Sequence, residues 1–325
     1  MKAANIISLG LAFLFGIMGA GMSEEKKAFV IRNASESPRV MAESGLLDIL
    51  RRNGLATAGV ETVKLTPAEE KEYGAWNRNA LENRRIGQLV GAHRLNEGLT
   101  IGLLTNCVDV LGMLAGLQHL GPAAAGGGAP PEVLAGQKPL RVGLVYLDAH
   151  ADFNTPETTL SGMLGGMDVA VAAGMCLTRL RFKIGLDPAL PARYIVFGGL
   201  RDVDPLEQEL LDRSEAAFLS VDDLRRASPK IDDEIGRLGR LTDVIYVHID
   251  MDVLDPGEVR GHSLSVPEGP TSRELAASIE KMFRHPKAGA IGIASLPFGE
   301  RDKDGLSLKA AYALIEGALR GYKTR

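Results

Sequence analysis

Two short runs carry residue types able to do chemistry together. Asp148-Ala149-His150-Ala151-Asp152 ends one apolar stretch, and His248-Ile249-Asp250-Met251-Asp252, followed by Asp255-Pro256, ends another about a hundred residues on. On an extended backbone alternate residues face one side, so Asp148, His150 and Asp152 can converge, and so can Asp250 and Asp252. If the two runs are neighbours, four carboxylates and one imidazole share a small volume. Repulsion and desolvation would force protonation of so many bare carboxylates. Hard oxygen donors with one imidazole suit Mn²⁺ or another first-row divalent ion, and shared carboxylates suit a pair of ions. An Asp at a strand end is often only a turn former or a helix cap. Two such strand ends, one with a His between Asp residues, point to a metal site.

The elements that must position these groups are also readable. Residues 142–147 (VGLVYL) and 244–247 (VIYV) are apolar and β-rich, and each stops in polar groups. In an open α/β sheet the C-terminal ends of the strands are where ligands bind. Further strands are predicted at 28–31, 60–65, 99–105, 193–197, 218–221 and 290–296. Helical spacing runs over 40–52, 79–95, 108–119, 205–215, 230–241, 272–284 and 306–319, with a small-residue helix at 166–174. Strands alternating with helices predict an α/β chain with a mostly parallel sheet. His93, near the end of its helix, reads as a surface residue.

The runs DAHADFNTPETTLSG and HIDMDVLDP resemble two metal-binding signatures of the arginase/agmatinase (ureohydrolase) superfamily, in order and roughly in spacing. The similarity extends over about residues 27–323. It implies a three-layer α/β/α arginase-like fold, two Mn²⁺ per subunit, and hydrolysis of a guanidinium or amidine C–N bond through metal-bridging hydroxide. It also implies a homo-oligomer, a trimer or a hexamer. Carried over by residue, Asp148 and Asp250 bridge the ions, Asp152 holds one, and His150 and Asp252 hold the other. In the mechanism this suggests, Asp152 also accepts a hydrogen bond from the water and could relay its proton. Asp255 orients its loop, and Asn154 and Ser161 match positions that contact the substrate's amino-acid end.

Several positions depart from that pattern. The family's first metal-binding His falls at Cys107. A thiolate there is a reasonable Mn²⁺ or Zn²⁺ ligand, while a small buried Cys is the competing reading. Where arginases carry an Asn and a proton-shuttle His, this chain has Met163 and Gly165. The apolar loop around Met163 suggests a less polar substrate than arginine. His248 or His262 would have to replace the shuttle, against the alternative of a structural or surface His. Ser295 falls where a Glu grips the guanidinium, with Glu300 and Asp302 further along, and Glu268 replaces a usual Gly.

Two functions follow. One is a binuclear-metal hydrolase acting on a small guanidine, amidine or amide other than standard arginine. The other is a catalytically inactive arginase-like protein serving as a metal-containing binding or partner subunit. The chain has 325 residues, 45% of them hydrophobic, and can hold one large α/β domain, expected over 27–325. A net charge of −4 suggests no nucleic-acid partner. Two distant Cys give no disulfide framework. Residues 3–22 are uncharged, follow Lys2 and end in small residues. That pattern predicts a signal peptide or membrane anchor over 1–23, and so an exported, periplasmic or anchored protein. Translation from Met22 would instead leave a cytoplasmic one. Residues 121–136 are rich in Gly, Pro and Ala and lack a phosphate-loop pattern, so they read as a surface connection.

Overall fold

The computed structural model describes residues 26–93, 98–119 and 138–325. The expected leader and the 121–136 connection lie outside them. Among the described residues no helix is long and apolar enough to cross a membrane.

The strands are β1 (Lys27–Arg32), β2 (Val60–Thr62), β3 (Gly98–Leu103), β4 (Val142–Leu147), β5 (Ile195–Gly198), β6 (Ala217–Leu219), β7 (Val244–Asp250) and β8 (Ala288–Ala294). The α-helices are α1 (Glu36–Met41), α2 (Leu47–Arg52), α3 (Ala75–Gly91), α4 (Val110–Gln118), α5 (Asp168–Ala172), α6 (Thr178–Ile184), α7 (Pro205–Asp212), α8 (Val221–Arg225), α9 (Pro229–Leu241), α10 (Ser272–Phe283) and α11 (Leu306–Lys323). The strands form one sheet in the order β2-β1-β3-β8-β7-β4-β5-β6, and every neighbouring pair is parallel.

Strand residues alternate between two apolar cores. Val145 and Leu147 join the core that takes in α2, α9, α10 and α11, whereas Leu144 and Tyr146 join the one beneath α3 to α6. Helices therefore cover both faces, as a sheet of near-continuous Val, Ile and Leu requires. The three-layer α/β/α architecture expected from the sequence is the one observed. A parallel sheet sends all its strand ends to one edge, so Cys107, Ser295 and Asp148, which follow β3, β8 and β4, lie beside Asp250, which ends β7.

Three local readings change. The predicted helix at 40–52 is broken into α1 and α2, because Ser44 and Gly45 leave helical geometry and Gly45 sits at φ 130°. The helix expected at 166–174 is reduced to α5, and α6 follows where no element was anticipated. His93 is buried, not on the surface. Its ring stacks on Phe29 with centroids 4.2 Å apart, and burial lowers its pKa.

The approach to Cys107 depends on how closely α3 and α4 cross. Asn83 Oδ1 accepts from Gly112 N at 2.7 Å, and Asn83 Nδ2 donates to Asp109 Oδ1 at 3.3 Å. Asp109 Oδ2 in turn accepts from Thr105 N at 2.9 Å, which pins the turn carrying Cys107. A Cβ on Gly112 would lie 2.5 Å from the Asn83 carbonyl oxygen, so only glycine fits. Gly112→Ala is expected to cost about 1–3 kcal/mol through overpacking, read as a lower midpoint in urea unfolding.

Candidate metal centre

Register places the two chemical runs together. Leu147 pairs with Ile249 across β4 and β7, so Asp148 and Asp250 leave adjacent strands at the same level. Asp250 pairs with Ala294 on the other side, which brings Ser295 beside it. Ser295 Oγ donates to Asp250 Oδ2 at 2.5 Å. Asp250 Oδ1 accepts from Asp252 N at 3.1 Å, and Asp148 Oδ1 accepts from His150 N at 2.7 Å. Each acidic run is thus folded into a tight turn by its first carboxylate.

His150 Nδ1 lies 3.3 Å from Asp148 Oδ1 and 3.2 Å from Asp252 Oδ2. His262 reaches in from the loop after β7, with Nε2 3.6 Å from Asp250 Oδ1. Among the described residues, three groups of side chains place donor atoms within 4.8 Å of one another. They are Asp148, His150 and Asp252; Asp250, Asp252 and His262; and Cys107, Asp152 and Asp168. These groups line the floor of an open cleft of about 840 Å³, with one exception. Asp168 lies behind the others.

Electrostatics here are those of carboxylates held out of water. Burial, then the neighbouring Asp252, Asp152 and Asp250, hold Asp148 well above the usual carboxylate range. Burial and then Asp252 do the same to Asp250. Asp152 is pushed up to about 7, mainly by burial, against the hydrogen bond from Tyr146. Asp252 alone stays low, because hydrogen bonds from His150 and Asp148 outweigh its burial. Burial opposes protonation of His150, but Asp252, Asp152 and Asp202 outweigh it and raise the imidazole to about 9. A divalent cation would relieve this crowding, so the donor set fits the metal pair that the sequence suggests.

Asn154, Ser161 and Met163 all line the cleft, but differently. Asn154 is buried, with Nδ2 donating to Asp204 at 3.1 Å and Oδ1 accepting from Thr158 at 2.9 Å. Its amide therefore holds the turn. Ser161 Oγ accepts from Met163 N at 3.2 Å on the exposed rim, and Met163 is half exposed there. Asp255 accepts from Gly257 N at 2.9 Å and shapes its loop. Glu268 occupies the left-handed region, φ 67°, that a glycine would take up without strain. Asp302 caps α11 through Ser307 N and Leu308 N, and Glu300 pairs with Lys303. Neither of the two enters the cleft.

His248 is not on the cleft wall. Its ring is fully buried, stacks on Tyr146 at 5.1 Å and shares a 2.8 Å hydrogen bond with the Tyr246 hydroxyl. Burial alone drops its pKa to about 3. The structure thus gives it a packing role under the site, in place of the shuttle role weighed from sequence, because the side chain of a mid-strand residue is covered by α-helices.

Sequence reasoning missed four residues. Asp168 opens α5. Tyr146 Oη donates to Asp152 Oδ2 at 2.6 Å. Glu207 accepts from Phe153 N at 2.7 Å. Arg201 donates to the carbonyls of Gly199, Asp252, Leu254, Val266 and Pro267. A lone Tyr in a strand and an Asp inside an apolar run carry no periodic signal. For Arg201 the only local cue is the Gly198-Gly199 pair at the end of β5, just before it.

Residues 131–294 match the model of the arginase family. The chain belongs to the arginase family. It is 30% identical over 180 residues to an arginase of Brevibacillus brevis, spanning 54% of this chain and 59% of that one. It is 31% identical over 158 residues to an N(omega)-hydroxy-L-arginine amidinohydrolase of Streptomyces lavendulae, spanning 46% of this chain and 49% of that one. The match to each thus covers less than two thirds of the relative's length. The crystal structure of an arginase from Bacillus cereus superposes with a TM-score of 0.74 at 20% identity, covering 90% of this chain and 98% of that one. That likeness supports the arginase-like fold.

Two outcomes follow. Arg201 ties the backbone of Asp252 to the loop that carries His262, so Arg201→Met is expected to weaken metal binding about 10–100-fold while leaving the fold intact. Isothermal titration of the metal-free variant, beside its circular dichroism, checks this. His248 resists protonation in the folded state but takes a proton near pH 6.5 once unfolded. Its contribution to stability is complete above that pH and is lost as pH falls toward 3. His248→Asn keeps a partner for Tyr246 and cannot titrate. Between pH 7 and 5 the unaltered protein is expected to lose about 2 kcal/mol more than this variant, measured by urea unfolding in chelator.

Proposed function

We propose that this arginase-family protein is a metal-dependent hydrolase that cleaves a C–N bond at an sp² carbon of a small guanidine, amidine or amide. The observation that carries the reading is the pair of donor groups at the floor of an open cleft, Asp148 with His150 and Asp252, and Cys107 with Asp152 and Asp168. Asp148 and Asp250 would help to hold two divalent ions, Mn²⁺ by the family resemblance. His150 and Asp252 would hold one ion, and Asp152 with Cys107 the other. Such a pair supplies Lewis acidity and lowers the pKa of a coordinated water toward neutrality.

The chain's own groups do the rest. Burial holds the His262 imidazole below its usual pKa against the pull of Asp252, so it is neutral at pH 7 and able to accept a proton. It lines the cleft beside Asp250, where a departing amine must be protonated, and fits the shuttle role left open by Gly165. Ser295 spends its hydroxyl on Asp250, so the end of β8 offers no carboxylate to a cationic head. Leu160, Met163 and Leu264 make the rim apolar. These features favour a less polar substrate than arginine.

Protein loaded with Mn²⁺ is expected to hold about two equivalents per chain and to lose both in Asp250→Ala. A screen of guanidines, amidines and amides is expected to release urea or ammonia. His262→Asn should lower kcat about 100-fold with metal content unchanged. Loss of one metal equivalent in that variant would make His262 a ligand and not a shuttle. One equivalent or none in the unaltered protein, without turnover, would favour a binding or partner subunit.

A further inference from the structure

Within the three donor groups found among the described residues, Asp168 is the one acidic residue that neither metal-binding run contains. It is fully buried, at the start of α5, under the floor of the cleft. The Asp152 backbone puts it there. Asp152 takes a left-handed conformation, φ 48°, and its carbonyl accepts from Val169 N at 3.0 Å and Ala170 N at 3.3 Å. The residue that supplies one carboxylate therefore anchors the helix that supplies the next.

The side chain of Asp168 is poorly satisfied for a buried carboxylate. Oδ1 is 3.4 Å from the Tyr146 hydroxyl, which spends its proton on Asp152 at 2.6 Å. Oδ2 has no hydrogen-bond partner among the described residues. A buried charge left this way is costly, and such groups are paired or bind metal. The groups facing it are Cys107 and Asp152, with donor atoms of all three within 4.8 Å. The family's shuttle His would fall at Gly165. Here a Cβ would come 3.2 Å from the Cys107 Sγ, and the Sγ donates to the Gly165 carbonyl at 3.5 Å. The absent side chain leaves the thiol room beside the two carboxylates.

We propose that Asp168 is a metal ligand that completes, with Cys107 and Asp152, a thiolate–dicarboxylate position unlike its neighbour. The neighbouring position, built from Asp148, His150, Asp250 and Asp252, offers only oxygen and imidazole. A soft thiolate selects Zn²⁺ or Co²⁺ over Mn²⁺, and hard oxygen donors accept Mn²⁺. The centre is therefore a mixed one, with the softer ion at Cys107. This rests on the metal-centre reading above and adds both the ligand and the preference.

Cobalt titrated into the metal-free full-length protein tests it without any substrate. A thiolate bound to Co²⁺ gives a charge-transfer band in the near ultraviolet, and oxygen and imidazole donors give none. The expected result is that band in the unaltered protein, its absence in Cys107→Ser, and a cobalt affinity weakened at least about tenfold for the banded position in Asp168→Asn. Asp168→Asn keeps the volume and removes a buried unpaired charge, so it is expected to fold, which circular dichroism verifies. Zn²⁺ should bleach the band at far lower concentration than Mn²⁺. Cobalt binding without the band, or an unchanged band affinity in Asp168→Asn, would overturn the proposal and leave the metal-dependent hydrolase reading standing. No cobalt binding at all would overturn both.

Discussion

Crowded carboxylates out of water are the constraint on which this structure turns. Asp148, Asp152, Asp168, Asp250 and Asp252 are all buried, and only Asp252 sits below its ordinary pKa, because His150 and Asp148 bond to it. No fold gains stability from such a group of like charges by itself. The cluster makes sense as a binding site whose repulsion is held in place by the surrounding structure and relieved by cations.

The surroundings are arranged for that task. The parallel sheet delivers four strand ends to one edge, and the register of β4 on β7 sets Asp148 level with Asp250. Arg201 then gathers the backbone of Asp252 and the loop after β7 through four carbonyls, from the far side of β4. The close crossing of α3 on α4 fixes the turn that presents Cys107. Positive φ at Asp152 and Ser295 places strained backbone at the site itself, where the packing around it maintains the geometry. The acidic floor follows the family pattern. The walls differ, with Met163 and Gly165 where the resemblance implies an Asn and a proton-shuttle His, and Ser295 where it implies a Glu.

Legibility from sequence follows the range of the interactions. Asp148, His150, Asp152, Asp250 and Asp252 announce themselves because a β-rich apolar run that ends in alternating acids is a local pattern, with a face fixed by the two-residue period. The strands and long helices are legible for the same reason. His93 was misread because its burial comes from a stack on Phe29 of β1, with β2 and α3 between the two in the chain. The 40–52 helix was misread because its apolar spacing outweighed Gly45 in the sequence, while the backbone there leaves the helix.

By itself, then, the sequence determined the α/β class, the family resemblance and five donors of the acidic floor, since all of these are written in short-range periodicity and motif. Which histidine faces the cleft was decided only by tertiary structure. His248 shares a strand with Asp250, yet helices bury it, while His262 comes back from a loop to lie against Asp250. Asp168 was likewise invisible until the backbone carbonyl of Asp152 anchored α5 beneath the site. Both outcomes depend on contacts between segments far apart in the chain, which no local pattern encodes.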